Sequence, residues 1–277
     1  MVAAIAEATQ PLINTGLYDV SQDGRPLITP SVGGINPNVR VGDSAFGFVA
    51  DHIEPGVSAK NPDERANTAF CVYSCVGNRA VIVTGEARGE EGVVTGKHGG
   101  VEHVMIDFDS KVLKRMVVGD RIQVWAQGVG LELTDAPDVG CFNLDPDFLD
   151  EWGVEVRNGK PVVPVTRVIP AAVMGSGLGR TTVARGDYDI QTFDDAMAEA
   201  HGLHDINLGD IVAIADADHS YGRSYVTGAI SVGIVVHGAS SMAGHGPGVT
   251  TLLTSRAGNI QTEIDKNANI AKILKLR

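Results

Sequence analysis

Cysteine is scarce in this chain, and so are aromatic side chains and positive charge. Cys71, Cys75 and Cys141 are the three cysteines in 277 residues. An odd, sparse count argues against a disulfide scaffold and for a reducing compartment. No further pair stands beside Cys71 and Cys75 at zinc spacing, so all three read as small buried hydrophobes. Lys and Arg number 22 against 34 Asp and Glu, a formal net charge of -12. Such a surface repels phosphate backbones and anionic lipid, so neither nucleic acid nor membrane is expected as a partner. No apolar run reaches the ~18–20 residues of a membrane-spanning helix. The longest such stretch, 226–236, is interrupted by Thr227, Gly228, Ser231 and Gly233. Residues 1–10 lack a basic segment and contain Glu7, so no signal peptide is expected and the protein reads as cytoplasmic. Hydrophobic residues still make up 43% of the chain, enough for a sizeable core.

What is abundant is glycine, 34 residues, with 12 prolines. Turn signals at Asp23-Gly24, Gly33-Gly34, Pro55-Gly56 and Gly99-Gly100 separate β-branched runs such as 80–84 and 101–108. Apolar and polar residues alternate over 121–127, as in a half-buried strand. The stretch 81–97 reads as a strand, an arch with glycines at 85, 89 and 92, and a second strand. It resembles the KOW motif of small SH3-like barrels. That resemblance implies a barrel but no RNA contact here, because the arch carries Glu86, Glu90 and Glu91 and only Arg88 is basic. A Gly-Asp turn leading into an apolar strand recurs at Gly42-Asp43, Gly119-Asp120 and Gly209-Asp210, which reads as shared local chemistry rather than a repeat.

Composition shifts near residue 135. Asp145-Pro146 opens a short helix that ends at Gly153. Asn158-Gly159 marks a hairpin within 154–165. Thr192 is read as the cap of a helix over 193–201, and a third helical pattern occupies 261–276. Buried-looking strands cover 209–217 and 229–237. The expected class is mixed α+β: an SH3-like small barrel in residues 1–135, then an α/β domain in 136–277.

Three stretches could carry chemistry. Asp216, Asp218 and His219 leave an apolar strand, and in a regular strand the two aspartates share a face. Two carboxylates beside an imidazole suit a divalent metal or acid/base work. The plain alternative is a polar turn. The strand ending at His237 is followed by Gly244-His245-Gly246-Pro247-Gly248, a tight loop carrying a second histidine. Ligands gather where strands end in α/β sheets, and neutral imidazoles bind metals or exchange protons. We expect His245, His237, Asp216 and Asp218 as catalytic residues, with His245 as the proton-transfer group. His219, His237 and Asp218 are the expected metal ligands. The third stretch, Gly175, Ser176, Gly177 and Arg180, lacks the helix of a dinucleotide site, but its amides and guanidinium could hold the anionic end of a substrate. The loop of Asp51, His52 and Glu54 is a further source of ligands. His98 and His103 are read as surface loop and His201 and His204 as flanking a helix end, where imidazole suits the negative dipole, and none of the four is given a role.

These phrases together resemble an uncharacterised bacterial and archaeal family, catalogued as a domain of unknown function. The matching segments are 39–47, Ala50-Asp51-His52-Ile53-Glu54-Pro55-Gly56-Val57, the arch, Met174-Gly175-Ser176-Gly177, Asp187-Tyr188-Asp189-Ile190, and 245–251. The resemblance implies an SH3-like N-terminal domain and a separate C-terminal domain, and it brings no reaction and no assigned residues. The expected function is a small-molecule enzyme performing metal-assisted or acid/base hydrolysis or elimination on a small polar substrate. Its cofactor is left open, with a divalent metal as the candidate, and it is expected to be a homo-oligomer. The alternative is a non-catalytic binding or assembly module built on the barrel.

Overall fold

Period-two alternation makes the first half a barrel. In Arg121–Ala126, residues Ile122, Val124 and Ala126 are buried while Arg121 and Trp125 face outward. The computed structural model describes residues 1–13, 18–27, 32–175 and 182–277. Six strands take part: β1 (Val2–Ala8), β2 (Gly56–Lys60), β3 (Arg79–Ile82), β4 (Glu91–His98), β5 (His103–Asp107) and β6 (Arg121–Ala126). They pair antiparallel in the order β1-β6-β3-β4-β5-β2, and β2 returns to β1. Closure leaves no long free edge among them. The core holds Phe70, Ile82, Ile106, Phe108 and Ile122, all essentially inaccessible to water. Burying each such side chain contributes about 1.5–3 kcal/mol. The small barrel expected from the glycine-punctuated arch is therefore present, with Arg79 to Val81 pairing across that arch with 91–93.

The second half is rich in sheet, and its described residues form only short helices, which keeps the class mixed α+β. Its main sheet runs in the order β7 (Gly140–Cys141), β12 (Gly248–Ser255), β11 (Ser224–Val235), β10 (Ile211–Asp218) and β8 (Arg167–Pro170). The short β9 (Tyr188–Asp189) also pairs with β12. All pairings are antiparallel except β8 with β10. The helix Pro146–Trp152 forms as its sequence dictates: Asp145 accepts from the amides of Asp147 and Phe148, and Gly153 ends it at φ 78°. Among the described residues no helix is long and apolar enough to cross a membrane.

Two helix expectations need correction. The helix over 193–201 starts later, as Asp195–His201, because Asp194 rather than Thr192 accepts the first-turn amide, from Met197 at 2.8 Å. The pattern over 261–276 is mostly not helical. Gln261–Ile264 is a strand beside Lys160–Val165, and only Ile270–Ile273 is helix, capped by Asn269. Pairing with an available strand overrides helical spacing there.

The recurring Gly-Asp turns are one device used three times. Each aspartate accepts the amide of the residue three before it: Asp43 from Arg40, Asp120 from Val117 and Asp210 from Asn207. Each glycine has a positive φ of 84–90°. Two of these turns join the halves, since the Gly42 amide donates to the Leu208 carbonyl and the Leu208 amide to that of Asp43. The halves also touch where β4 meets β12: Thr250 Oγ1 accepts from the Lys97 amide at 3.2 Å and donates to the Lys97 carbonyl at 2.9 Å. Gly96 is required at this crossing, because a Cβ there would overlap Val236.

Candidate functional site

Just past that crossing, β4 ends at His98, and β5 begins at His103 directly opposite. The second sheet meets this end of the barrel with His237, two residues beyond β11, and with Asp187 and Asp189 around β9. Asp187, Tyr188 and Asp189 alternate, so both carboxylates face the barrel while the Tyr188 ring faces away toward His219. The 51–54 loop closes the group. It is tied to the second sheet by the His52 amide donating to Ala239 and by the Gly238 amide donating to Ile53. His52 sits at φ 52°, a left-handed backbone that non-glycine residues adopt rarely, held by this pairing.

The result is two adjacent groups of two histidines and one aspartate, each with ligand atoms within 4.8 Å of one another. In the outer group, His52 Nε2 lies 3.1 Å from His245 Nδ1, and Asp189 Oδ2 lies 3.1 Å from His245 Nδ1 and 3.5 Å from His52 Nε2. A triangle of these sides has a circumradius of about 1.9 Å, shorter than the usual metal–ligand bond of about 2.0–2.2 Å, so all three atoms could reach one ion. The inner group is His98, Asp187 and His237, with His237 Nε2 2.7 Å from Asp187 Oδ2.

The remote ring nitrogens are anchored as in metal sites. His52 Nδ1 faces Asp51 Oδ2 at 2.5 Å, and His98 Nδ1 faces Glu54 Oε1 at 2.5 Å. His237 Nδ1 donates to the Gly238 carbonyl at 2.9 Å. A carboxylate or carbonyl behind a histidine fixes its tautomer and aims the other nitrogen at the ion. Imidazole and carboxylate together suit zinc, manganese, iron(II) or nickel better than calcium or magnesium. Glu54 is fully buried and also accepts from His103 Nδ1, the Gly33 amide and the Ser58 hydroxyl. Asp51 also accepts from the Ser241 amide at 3.0 Å and the Ser240 hydroxyl at 3.2 Å.

Electrostatics follow from this packing. Burial drives the His52 imidazole down, but Asp189 and Asp51 outweigh it and raise it to about 10. Burial would raise the Asp189 carboxyl, yet His245 and His52 pull it far below the usual carboxylate range. Burial likewise opposes the charge on Glu54, and His103 and His98 hold it well below its ordinary value. His98 is pushed down by burial and by His237, whereas His237 is raised by Asp187 against its own burial. The cluster is thus built to hold positive charge among buried carboxylates, as imidazolium or as a cation.

Of the expected residues, His237 and His245 come together, joined by His52 from the 51–54 loop. Asp216, Asp218 and His219 do not belong to either group. Asp216 has φ 59° at a bulge in β10, which breaks the shared strand face, and it accepts from the Gly228 amide. Asp218 holds Ser220 and the Arg256 guanidinium. His219 lies behind β12 against Thr251 and Tyr188. Of the expected metal set His219, His237 and Asp218, the structure groups His237 with His98 and Asp187 rather than with Asp218 or His219. Gly175 is not a free anion cradle: its amide donates to the Asp189 carbonyl at 2.7 Å, and it packs against Gly244. Ser176, Gly177 and Arg180 lie outside the described residues. His98 and His103, read as surface residues, are buried at the heart of the cluster.

His219 has a structural consequence of its own. Burial pushes its imidazole from 6.5 down to about 4, so the unfolded chain takes up a proton there before the folded one does. Its contribution to stability is intact above 6.5 and lost as pH falls toward 4, at most about 3 kcal/mol. In denaturant titrations across this window, His219→Gln is expected to flatten the pH dependence relative to the parent.

Comparison with other proteins agrees with this architecture. The crystal structure of TM1086 is 44% identical and superposes with a TM-score of 0.92, over 98% of this chain and 94% of that one. No curated protein matches the chain. A domain of unknown function, DUF4438, matches through its N-terminal part at residues 18–150 and its C-terminal part at 151–274. The chain belongs to the DUF4438 family.

Proposed function

We propose that this protein is a small-molecule enzyme that holds a divalent transition metal at His52, Asp189 and His245 and performs hydrolysis or elimination on a small polar substrate. The observation that carries this reading is the triangle of three ligand atoms with sides of 3.1, 3.1 and 3.5 Å, one corner backed by the Asp51 carboxylate. Three protein donors leave coordination positions for water and substrate, as in catalytic rather than structural sites. A metal there supplies Lewis acidity and a water acidic enough to ionise near neutral pH. The protein's own groups orient and shield. Asp51 fixes the His52 ring, and the His245 side chain is 28% exposed, so water can reach this group. Ser240 and Ser241, which hold Asp51, also line an open surface cleft with Gln22, Arg25 and Phe193. A purely structural binding module does not require such converging, backed imidazoles.

Elemental analysis of purified, untagged protein tests the reading. Near-stoichiometric zinc, manganese or iron is expected in the parent and is expected to be lost in a His237→Ala/His245→Ala double variant. A parent that takes up none of these metals after dialysis against each would refute the assignment.

A further inference from the structure

We propose that the centre holds two ions, the second bound by His98, Asp187 and His237, with Asp189 bridging the pair through one oxygen to each. This rests on the reading that the outer group binds metal.

The two oxygens of Asp189 face different groups. Oδ2 is 3.1 Å from His245 Nδ1, whereas Oδ1 is 3.8 Å from His237 Nε2. A carboxylate turned this way is placed to span ions about 3.5–4 Å apart. The rings interleave to match, with centroids 5.0 Å apart for His52 and His237 and 4.2 Å for His98 and His237.

The inner group is prepared for a cation of its own. The Nδ1 proton of His237 is committed to the Gly238 carbonyl, so a neutral ring presents its Nε2 lone pair to Asp187 Oδ2. Two lone pairs at 2.7 Å require a positive charge between them, either a proton or a metal. His98 is set the same way, its Nδ1 held by Glu54 and its Nε2 left for the group. Charge counting favours metal over protons. Asp51, Glu54, Asp187 and Asp189 are four buried carboxylates in one cluster. Two divalent ions balance them with every imidazole neutral, whereas one ion needs two buried imidazolium rings as well. The ligand set predicts the same metals at both positions, zinc, manganese, iron(II) or nickel, and cobalt(II) is a spectroscopic substitute for them.

The test uses the full chain, stripped with chelator and titrated with cobalt(II) chloride, then separately loaded with manganese(II) for electron paramagnetic resonance. The parent is expected to bind about two equivalents and to give a spin-coupled manganese pair. His98→Gln, which alters the inner group alone, is expected to retain about one equivalent and show only uncoupled manganese. A parent that binds a single equivalent, kept in His98→Gln and lost in His245→Gln, overturns the second ion and leaves the proposed function standing. A parent that binds none overturns both. Should His98→Gln fail to fold by circular dichroism, the parent's stoichiometry and manganese coupling decide the matter.

Discussion

Alanine at Gly248 is expected to strip metal from the protein while both sheets remain folded. Gly248 opens β12, and a Cβ built there would overlap both Asp187 Oδ2 and His237 Nε2. Its backbone is ordinary extended strand, so alanine meets no conformational penalty, and the methyl group's effect falls on the site itself. Neither side chain can retreat freely. His237 is held through Nδ1 to the Gly238 carbonyl, and Asp187 through Oδ1 to the Gly99 amide at 2.7 Å. Overpacking of this kind costs about 1–3 kcal/mol, a moderate loss of stability. The loss of metal is expected to be far larger, because displacing a ligating group by about 1 Å removes a bond to the ion and misaims the rest. Metal content measured beside thermal unfolding separates the two effects. Parent-like metal retention in Gly248→Ala would show that His237 and Asp187 are not ligands.

The largest effect on folding is expected at Glu54. Its carboxylate is fully buried and gathers four donors: the His98 and His103 rings, the Gly33 amide and the Ser58 hydroxyl. Glu54→Ala leaves two buried imidazoles and a hydroxyl without their acceptor and opens a cavity in the rim of the barrel. Removing one side of a buried charged network costs about 3–5 kcal/mol, to which lost packing adds. Glu54→Gln keeps the shape and can still accept, so its cost is expected to be clearly smaller. Chemical denaturation of both variants gives the comparison, and equal costs would show that cavity formation rather than charge dominates.

Much of the barrel was legible because its signals are local. Alternation over 121–126 and the glycines of the arch each dictate backbone geometry by themselves, as Asn158-Gly159 does for the hairpin of the second half. The site was legible in part. His237 and His245 stood out because a buried strand ends on one and glycines flank the other, and the 51–54 loop showed its ligand types in a row. His98 and His103 were misread because Gly99-Gly100 looks like a solvent-facing turn, and nothing local reveals that a second sheet covers it. Asp187 and Asp189 carried a faint signal, two acids alternating with Tyr188 and Ile190, but a two-residue strand is too short for periodicity to speak. The opposite error occurred at Asp216 and Asp218. They were assigned one face on the assumption of a regular strand, and the left-handed residue Asp216 breaks that regularity.

The seam between the two sheets also sets an order of events during synthesis. Every strand of the barrel has been made once residue 126 is joined, with His52, Glu54, His98 and His103 already in the chain. Asp187 and Asp189 follow some sixty residues later, and His237, His245 and Gly248 later still. A nascent chain can therefore close its barrel around Glu54 and display two histidines at an open rim, yet it cannot assemble either ligand group until β11 and β12 have left the ribosome. Completion of either group is then a late step of synthesis, and a chain stalled before residue 237 contains neither group in full.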